Sequence, residues 1–170
     1  MKNLLLLGTT NYGIELKESD KRKFKELSHK FKVHVVTYGY QDELIHHDFV
    51  TIKYIKQPNW NILKYIRFYF LNFSFLTRYI NNFNIEIISA KDPIAAFLPI
   101  LIKKYRKLNI KIVIEHHGDF INLLLNQRKF LFPSFIEFVL NKISNFTYSN
   151  CDLIRGVEQK FTEDIAQKYK

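Results

Sequence analysis

Cysteine is almost missing from this chain of 170 residues: the lone Cys151 excludes an internal disulfide framework and any cysteine-built metal cluster, zinc ribbons included. A reducing compartment, the cytoplasm, is the expected location. Glycine is scarce, with 5 residues, and none of them completes G-x-G-x-x-G or a phosphate-binding loop ending in Gly-Lys-Ser/Thr. Dinucleotide binding and P-loop chemistry are therefore disfavoured. A D-x-D motif for a metal-bound nucleotide is absent from the whole sequence. Long apolar runs are missing too. The opening Leu4–Leu7 is too short for a secretory core, which needs ~7–15 residues. The longest run, Ile94 to Ile102, is broken by Pro99 and falls far below the ~20 residues of a spanning helix. Internal repeats, low-complexity tracts and linkers are absent, so residues 1–170 read as one domain.

What is present is 47% hydrophobic and 25% charged, enough for one sizeable core. Lysine and arginine (26) against aspartate and glutamate (16) leave +10, a field that favours anionic partners without choosing among them. The chain is crowded with Lys, Ile, Asn, Phe and Tyr, so part of that charge reflects general composition. No nucleic-acid recognition motif accompanies it, and nucleic acid is not an expected partner.

Six short β-type runs recur: Leu4–Leu7, Val33–Thr37, Phe49–Ile55, Ile85–Ile88, Ile110–Ile114 and Leu153–Ile154. Near-continuous aliphatic strands imply burial on both faces, the habit of a parallel sheet between helices. Helical spacing fills the gaps at Glu15–Phe31, Asn59–Asn81 and Glu158–Tyr169. Asp92-Pro93 marks a capped helix start with Pro99 inside the helix, and Ser134 with Glu137 fits a capping box. The expected fold class is α/β: a Rossmann-like three-layer α/β/α domain with a mainly parallel sheet.

Ligands of such sheets bind beyond the carboxyl ends of the strands, which selects three loops. The first is Gly8-Thr9-Thr10-Asn11-Tyr12-Gly13, whose small residues let backbone amides approach a sugar or an anion. The second is Ser89-Ala90-Lys91-Asp92-Pro93, where Asp92 is read as a cap and Lys91 faces a ligand or solvent. The third, Glu115-His116-His117-Gly118-Asp119-Phe120, sets two imidazoles and two carboxylates at the mouth of a buried strand. Adjacent histidines on a strand point in opposite directions, so a metal site is not expected there. His46-His47-Asp48, placed before the third strand, is read as ordinary surface.

Taken in order and spacing, Ile85–Ala96, Lys111–Phe120 and Cys151–Glu158 make the chain resemble the N-terminal domain of family-4-type glycosyltransferases of the GT-B fold. The resemblance rests on a D-P-x-A-A segment, a strand ending in His-Gly, and a late D-x-I strand before a helix. It implies an acceptor-side half of a retaining, metal-independent enzyme that transfers a sugar from a nucleotide-sugar to a glycan or lipid-linked acceptor. His117 matches the histidine near the transferred sugar and carries the catalytic expectation. Thr9, Thr10, Asn11, Tyr12, Gly13, Lys91, His116, Gly118 and Asp119 are expected to bind the acceptor. No cofactor or metal is implied. The donor-binding C-terminal domain is expected to be absent from this chain, so a missing domain or a partner chain would supply the donor site, and the chain alone would be inactive. Two departures bear on acceptor identity: Ser89 and Lys91 stand where relatives often have histidine, and Glu158 where a serine often opens the last helix. The alternative is a non-catalytic membrane-docking or scaffolding subunit of a split transferase.

Within Asn59–Asn81, Ile62, Tyr65, Ile66, Tyr69, Phe70, Phe73, Leu76 and Ile80 share one face, assigned to sheet packing. Lys64, Arg67, Ser74 and Arg78 stand opposite with Trp60, Phe68, Leu71 and Phe75 interleaved. Basic residues among aromatics suit an anionic membrane surface, and Lys103, Lys104, Arg106, Lys107 and Lys111 add a second basic cluster. Peripheral contact with the inner face of the membrane is one expectation for this surface, and contact with the missing domain or with a partner chain is the other.

Overall fold

The computed structural model describes residues 1–13, 15–57, 72–116, 121, 125–126, 132–156 and 167. Seven strands form one sheet: β1 (Lys2–Leu7), β2 (Phe31–Gly39), β3 (Glu43–His47), β4 (Val50–Lys56), β5 (Ile87–Ala90), β6 (Lys111–His116) and β7 (Leu153–Gly156). Their spatial order is β3-β4-β2-β1-β5-β6-β7, and every neighbouring pair is parallel except the edge pair β3/β4. Four helices are described: α1 (Glu18–Ser28), α2 (Phe73–Asn82), α3 (Pro93–Arg106) and α4 (Pro133–Asn150). This is the expected Rossmann-like α/β architecture with a mainly parallel sheet.

Strand alternation divides the core in two. One face sends Leu5, Leu7, Val36, Ile88, Ala90, Ile112 and Ile114 into a cluster with Leu76, Tyr79 and Ile80 of α2, Ile94, Leu98 and Ile102 of α3, and Leu140 and Tyr148 of α4. The other sends Val33, Val35, Ile52 and Tyr54 against Phe24 of α1, together with Tyr12 and Leu16. Phe24 and Ile52 are fully buried, and a phenylalanine truncated at such a position typically costs ~3–5 kcal/mol.

The α3 start forms as the Asp92-Pro93 pair predicts, with Asp92 Oδ1 accepting from the Ala95 amide at 2.7 Å. The helix ends at Lys107, whose φ of 51° is left-handed. Asp152 ties β7 to its neighbours: it accepts from the Ile112 amide at 2.7 Å and from Lys103 Nζ at 2.7 and 2.9 Å.

Several expectations are corrected. β3 is an antiparallel edge strand that the sequence reading lacked, and it contains His46 and His47, which were placed before a strand. Its exposed positions are Leu44 and His46 and its half-buried ones Glu43, Ile45 and His47, so neither face shows the aliphatic run that marks a buried strand. The Ser134/Glu137 capping box does not form. The N-cap is Phe132, with Pro133 at the first position, and no side chain caps that end. Proline, with its φ preset for a first helical residue, starts the helix earlier and leaves Ser134 inside it. Phe75, assigned to the outward face of its helix, packs against the core instead, while Ser74 and Arg78 are exposed. Strands β5 and β6 each run two residues farther than expected, taking Ser89, Ala90, Glu115 and His116 out of the loops. Of the helix expected over 59–81, the part from Phe73 is helical and positions 59–71 lie outside the described residues, as does the helix expected over 158–169 apart from position 167, which is helical.

Candidate functional site

Crossovers run to one side of β1 through β2 and β4 and to the other side through β5, β6 and β7, so the connection reverses between β1 and β5. At such a switch point two loops diverge from the carboxyl rim and leave a crevice. Here the crevice is a cleft of about 150 Å³ lined by Leu6, Leu7, Gly8, Thr10, Tyr12, Lys23, Val35, Ser89, Lys91 and Glu115.

The loop after β1 is pinned from β2, from β4 and from the residue that follows β5. Thr37 of β2 donates its hydroxyl to the Thr10 carbonyl. Tyr54 of β4 donates to the carbonyls of Tyr12 at 3.0 Å and Gly13 at 3.2 Å. Lys91, just past β5, reaches the Thr10 hydroxyl with Nζ at 3.2 Å. Gly8 leaves room for Lys91, because a Cβ at Gly8 would stand 3.1 Å from Lys91 Cβ and the lysine would have to give by a few tenths of an ångström.

Tyr12 is 8% exposed and packs its ring against Phe24 at 5.4 Å between centroids. Burial chiefly, and then the Asp20 carboxylate, hold its phenol above the ordinary range, partly offset by the Thr10 hydroxyl. Tyr12 therefore remains a neutral O–H at physiological pH. On the facing wall Ser89 Oγ donates to Glu115 Oε1 at 2.8 Å. The cleft so combines a carboxylate acceptor, two ammonium groups and several hydroxyls around an apolar floor of Leu6 and Val35.

Of the expected site residues, Thr10, Tyr12 and Lys91 line this cleft. Thr9, Asn11 and Gly13 share the same loop without lining it, and Asn11 and Gly13 are exposed. His116 ends β6 opposite Gly156 of β7. His117, Gly118 and Asp119 lie outside the described residues. Sequence reasoning did not name Lys23, Ser89 or Glu115 as binding residues. The signal for the last two was strand alternation carried two residues farther along β5 and β6. Lys23 had none, since a lysine on a charged helix face reads as solvated.

The sequence model for Glycosyltransferase Family 4 matches residues 24–170. The chain belongs to that family. This family-4 chain also superposes along its full length on sucrose-phosphate synthase from Thermosynechococcus elongatus, with a TM-score of 0.68 and 8% identity, covering 46% of that chain. A second structure of portions of the same synthase gives a TM-score of 0.58 at 8% identity, covering 100% of this chain and 83% of that one. At such identity the likeness establishes the fold, one half of a GT-B glycosyltransferase. The chain spans about half the length of the first synthase structure. No curated protein matches it.

Proposed function

We propose that this family-4 domain is the acceptor-side half of a retaining, metal-independent glycosyltransferase, moving a sugar from a nucleotide-sugar to a glycan or lipid-linked acceptor. The donor site would come from a second domain or a partner chain. The carrying observation is the cleft at the β1/β5 switch point, where Thr10, Tyr12 and Lys91 converge with a carboxylate. Sugar hydroxyls both donate and accept, and that mixture of groups answers both needs. Binding energy collected there orients the acceptor hydroxyl toward the donor sugar, which is how a positioning domain contributes to rate. By family resemblance His117, which follows β6 directly, would stabilise charge that develops during transfer.

The test uses the complete reading frame, with its donor half in cis or supplied by the partner chain. Acceptor-dependent consumption of a nucleotide-sugar, with the donor's anomeric configuration kept in the product and turnover unchanged by EDTA, is the expected result. His117→Ala should lower turnover by at least about a hundredfold, the scale of losing one group that stabilises transition-state charge. Near-normal turnover would remove His117 from the mechanism, and an inverted product would refute the retaining assignment.

A second reading, docking to an anionic membrane as a catalytic or scaffolding subunit, is favoured by three exposed aromatics at the start of α4. Phe132, Phe135 and Phe138 are 72%, 64% and 58% exposed, and Lys142 lies over the Phe138 ring at 5.5 Å. Among the described residues no helix is long and apolar enough to cross a membrane, so any contact through them is interfacial. Flotation with acidic liposomes that fails at low salt would end this reading.

A further inference from the structure

Lys23 on α1 and Lys91 just past β5 both line the switch-point cleft. Lys91 is held in place: its amide donates to the Leu7 carbonyl at 3.1 Å and its Nζ to the Thr10 hydroxyl at 3.2 Å. Among the described residues the ion pairs are Lys21 with Glu18 and Lys103 with Asp152, so neither cleft lysine is neutralised by a carboxylate. Glu115 lines the same cleft, but it accepts from Ser89 and has a further interaction besides, and it forms no ion pair with either lysine. With Glu115 counted, the described groups of the cleft still sum to a positive charge.

Tyr12 adds a donor to the two ammonium groups. An ammonium only donates, so the Thr10 oxygen accepts from Lys91, and the Thr10 hydroxyl gives its own proton to the Tyr12 phenol oxygen, the direction of bonding that favours the phenolate. The phenol proton of Tyr12 is thereby left for an occupant of the cleft. Two ammonium groups gathered without a counter-charge reach their lowest energy with an anion between them. The cleft's volume of about 150 Å³ is below the ~300–1,000 Å³ that encloses a whole small molecule, so it takes one group of a ligand and leaves the rest outside. A phosphate monoester suits that space. Its three terminal oxygens meet Lys23, Lys91 and Tyr12 separately, and its charge of about −2 balances both lysines, whereas a carboxylate offers a single charge on two oxygens.

We infer that Lys23 and Lys91, with the Tyr12 hydroxyl, form a phosphate-binding subsite, and that the acceptor bound at the β1–β5 rim carries a phosphate group. The inference rests on the acceptor-side reading above and deepens it by naming the acceptor's chemical class. Lys23 and Lys91 are the specificity residues, and Thr10 is the positioning residue of Lys91.

The test titrates the ¹⁵N-labelled chain with glucose 6-phosphate, geranyl phosphate, UDP and methyl α-glucopyranoside, following the amides of Gly8, Thr10, Tyr12 and Lys91. At least one of the two phosphate esters should shift these amides saturably and bind at least about tenfold tighter than the neutral glycoside, the value of a hydrogen bond to a charged group. The tighter ester names the carrier of the phosphate, a sugar or a lipid. Lys23→Gln and Lys91→Gln should each weaken that ester by about tenfold. Lys104→Gln removes the same charge near the far end of α3 and should leave the affinity unchanged, which separates a local subsite from the general positive field. Retained amide dispersion elsewhere in each variant certifies the fold. No saturable shift with either ester, undiminished binding by both cleft variants, or an equal loss in Lys104→Gln would overturn the inference. So would UDP binding at these amides more tightly than either ester, which would give the lysines to the donor's diphosphate. The transferase reading is judged separately, by acceptor-dependent nucleotide-sugar turnover. Turnover on an unphosphorylated acceptor with an unaltered acceptor KM in Lys91→Gln would sink this assignment alone.

Discussion

His34 sits in the middle of the sheet, 1% exposed, and neither ring nitrogen has a hydrogen-bond partner among the described residues. It stands between Leu5 of β1 and Thr51 of β4, and its ring meets those of Phe83 at 4.8 Å and Tyr79 at 6.1 Å. The charged groups around it are Lys32 on its own strand and His46 on β3; the Tyr79 phenol, pushed up by burial, contributes no charge. Burial first, and then Lys32 and His46, lower the His34 pKa to about 4. An unfolded histidine titrates near 6.5, so the unfolded chain takes up the proton before the folded one does. Stability is therefore complete above pH 6.5, falls as the pH drops from 6.5 to about 4, and levels off below. At about 1.4 kcal/mol per unit the full loss is about 3 kcal/mol, of which about 2 kcal/mol is gone by pH 5. Urea unfolding followed by far-ultraviolet circular dichroism at pH 7.5, 6.0, 5.0 and 4.5 should show the midpoint falling by about 1 M between pH 7.5 and 5.0. His34→Leu removes both unpaired nitrogens, and should gain about 1 kcal/mol at pH 7.5 and flatten that decline. An equal slope in the two proteins would refute the reasoning, whatever their stabilities at neutral pH.

Asp152 titrates in a separate, lower window. Burial acts to raise its pKa, but the Lys103 ammonium, the Ile112 amide and the Lys111 charge prevail and hold it below the ordinary carboxylate range. Its stabilisation is present above pH ~4 and is lost as pH falls further. Asp152→Ala should cost about 1–3 kcal/mol by stranding the Ile112 amide, and Asp152→Asn, which keeps an acceptor, should cost less; equal losses in urea midpoint would contradict this. A Cβ at Gly39 would lie 2.8 Å from Tyr54 Cβ and Cδ1, so Gly39→Ala should destabilise by about 1–3 kcal/mol through overpacking. Tyr54→Phe removes only the bonds to the Tyr12 and Gly13 carbonyls and should cost about 1 kcal/mol, with faster amide exchange confined to the loop after β1. Exchange that speeds throughout the sheet would show the hydroxyl to be a global support instead.

The parallel strands were legible because burial on both faces writes itself as an aliphatic run, as in Leu4–Leu7 and Ile112–Ile114. Asp92-Pro93 was legible because a capping carboxylate and a proline at the first helical position leave a local signature. β3 was not, because an edge strand alternates exposed with half-buried positions and takes its register from β4 rather than from its own sequence. The capping box failed for a related reason: the motif states what Ser134 and Glu137 can do, while Pro133 decides where the helix begins. In the site, the loop residues Thr10, Tyr12 and Lys91 were found because ligands of a parallel sheet bind beyond the carboxyl ends of its strands, which needs only the strand ends to be located. Ser89 and Glu115 stood in the second and third candidate loops without being assigned to a ligand, because only the ladder reveals that they share a face.

That ladder also explains why the cleft has its particular walls. α1 covers one face of β1, β2 and β4 through Phe24, whereas the same face of β5, β6 and β7 carries half-buried Val113, exposed Leu153 and exposed Arg155. Among the described residues, the cleft lies where that cover stops. Its left wall is a loop fastened by Thr37, Tyr54 and Lys91, and its right wall is a pair of strand residues whose backbone is locked in the sheet. A site built this way has its donors and acceptors set before any ligand arrives, which lowers the ordering cost of binding. The same chemistry placed on loops alone would pay that cost at each encounter.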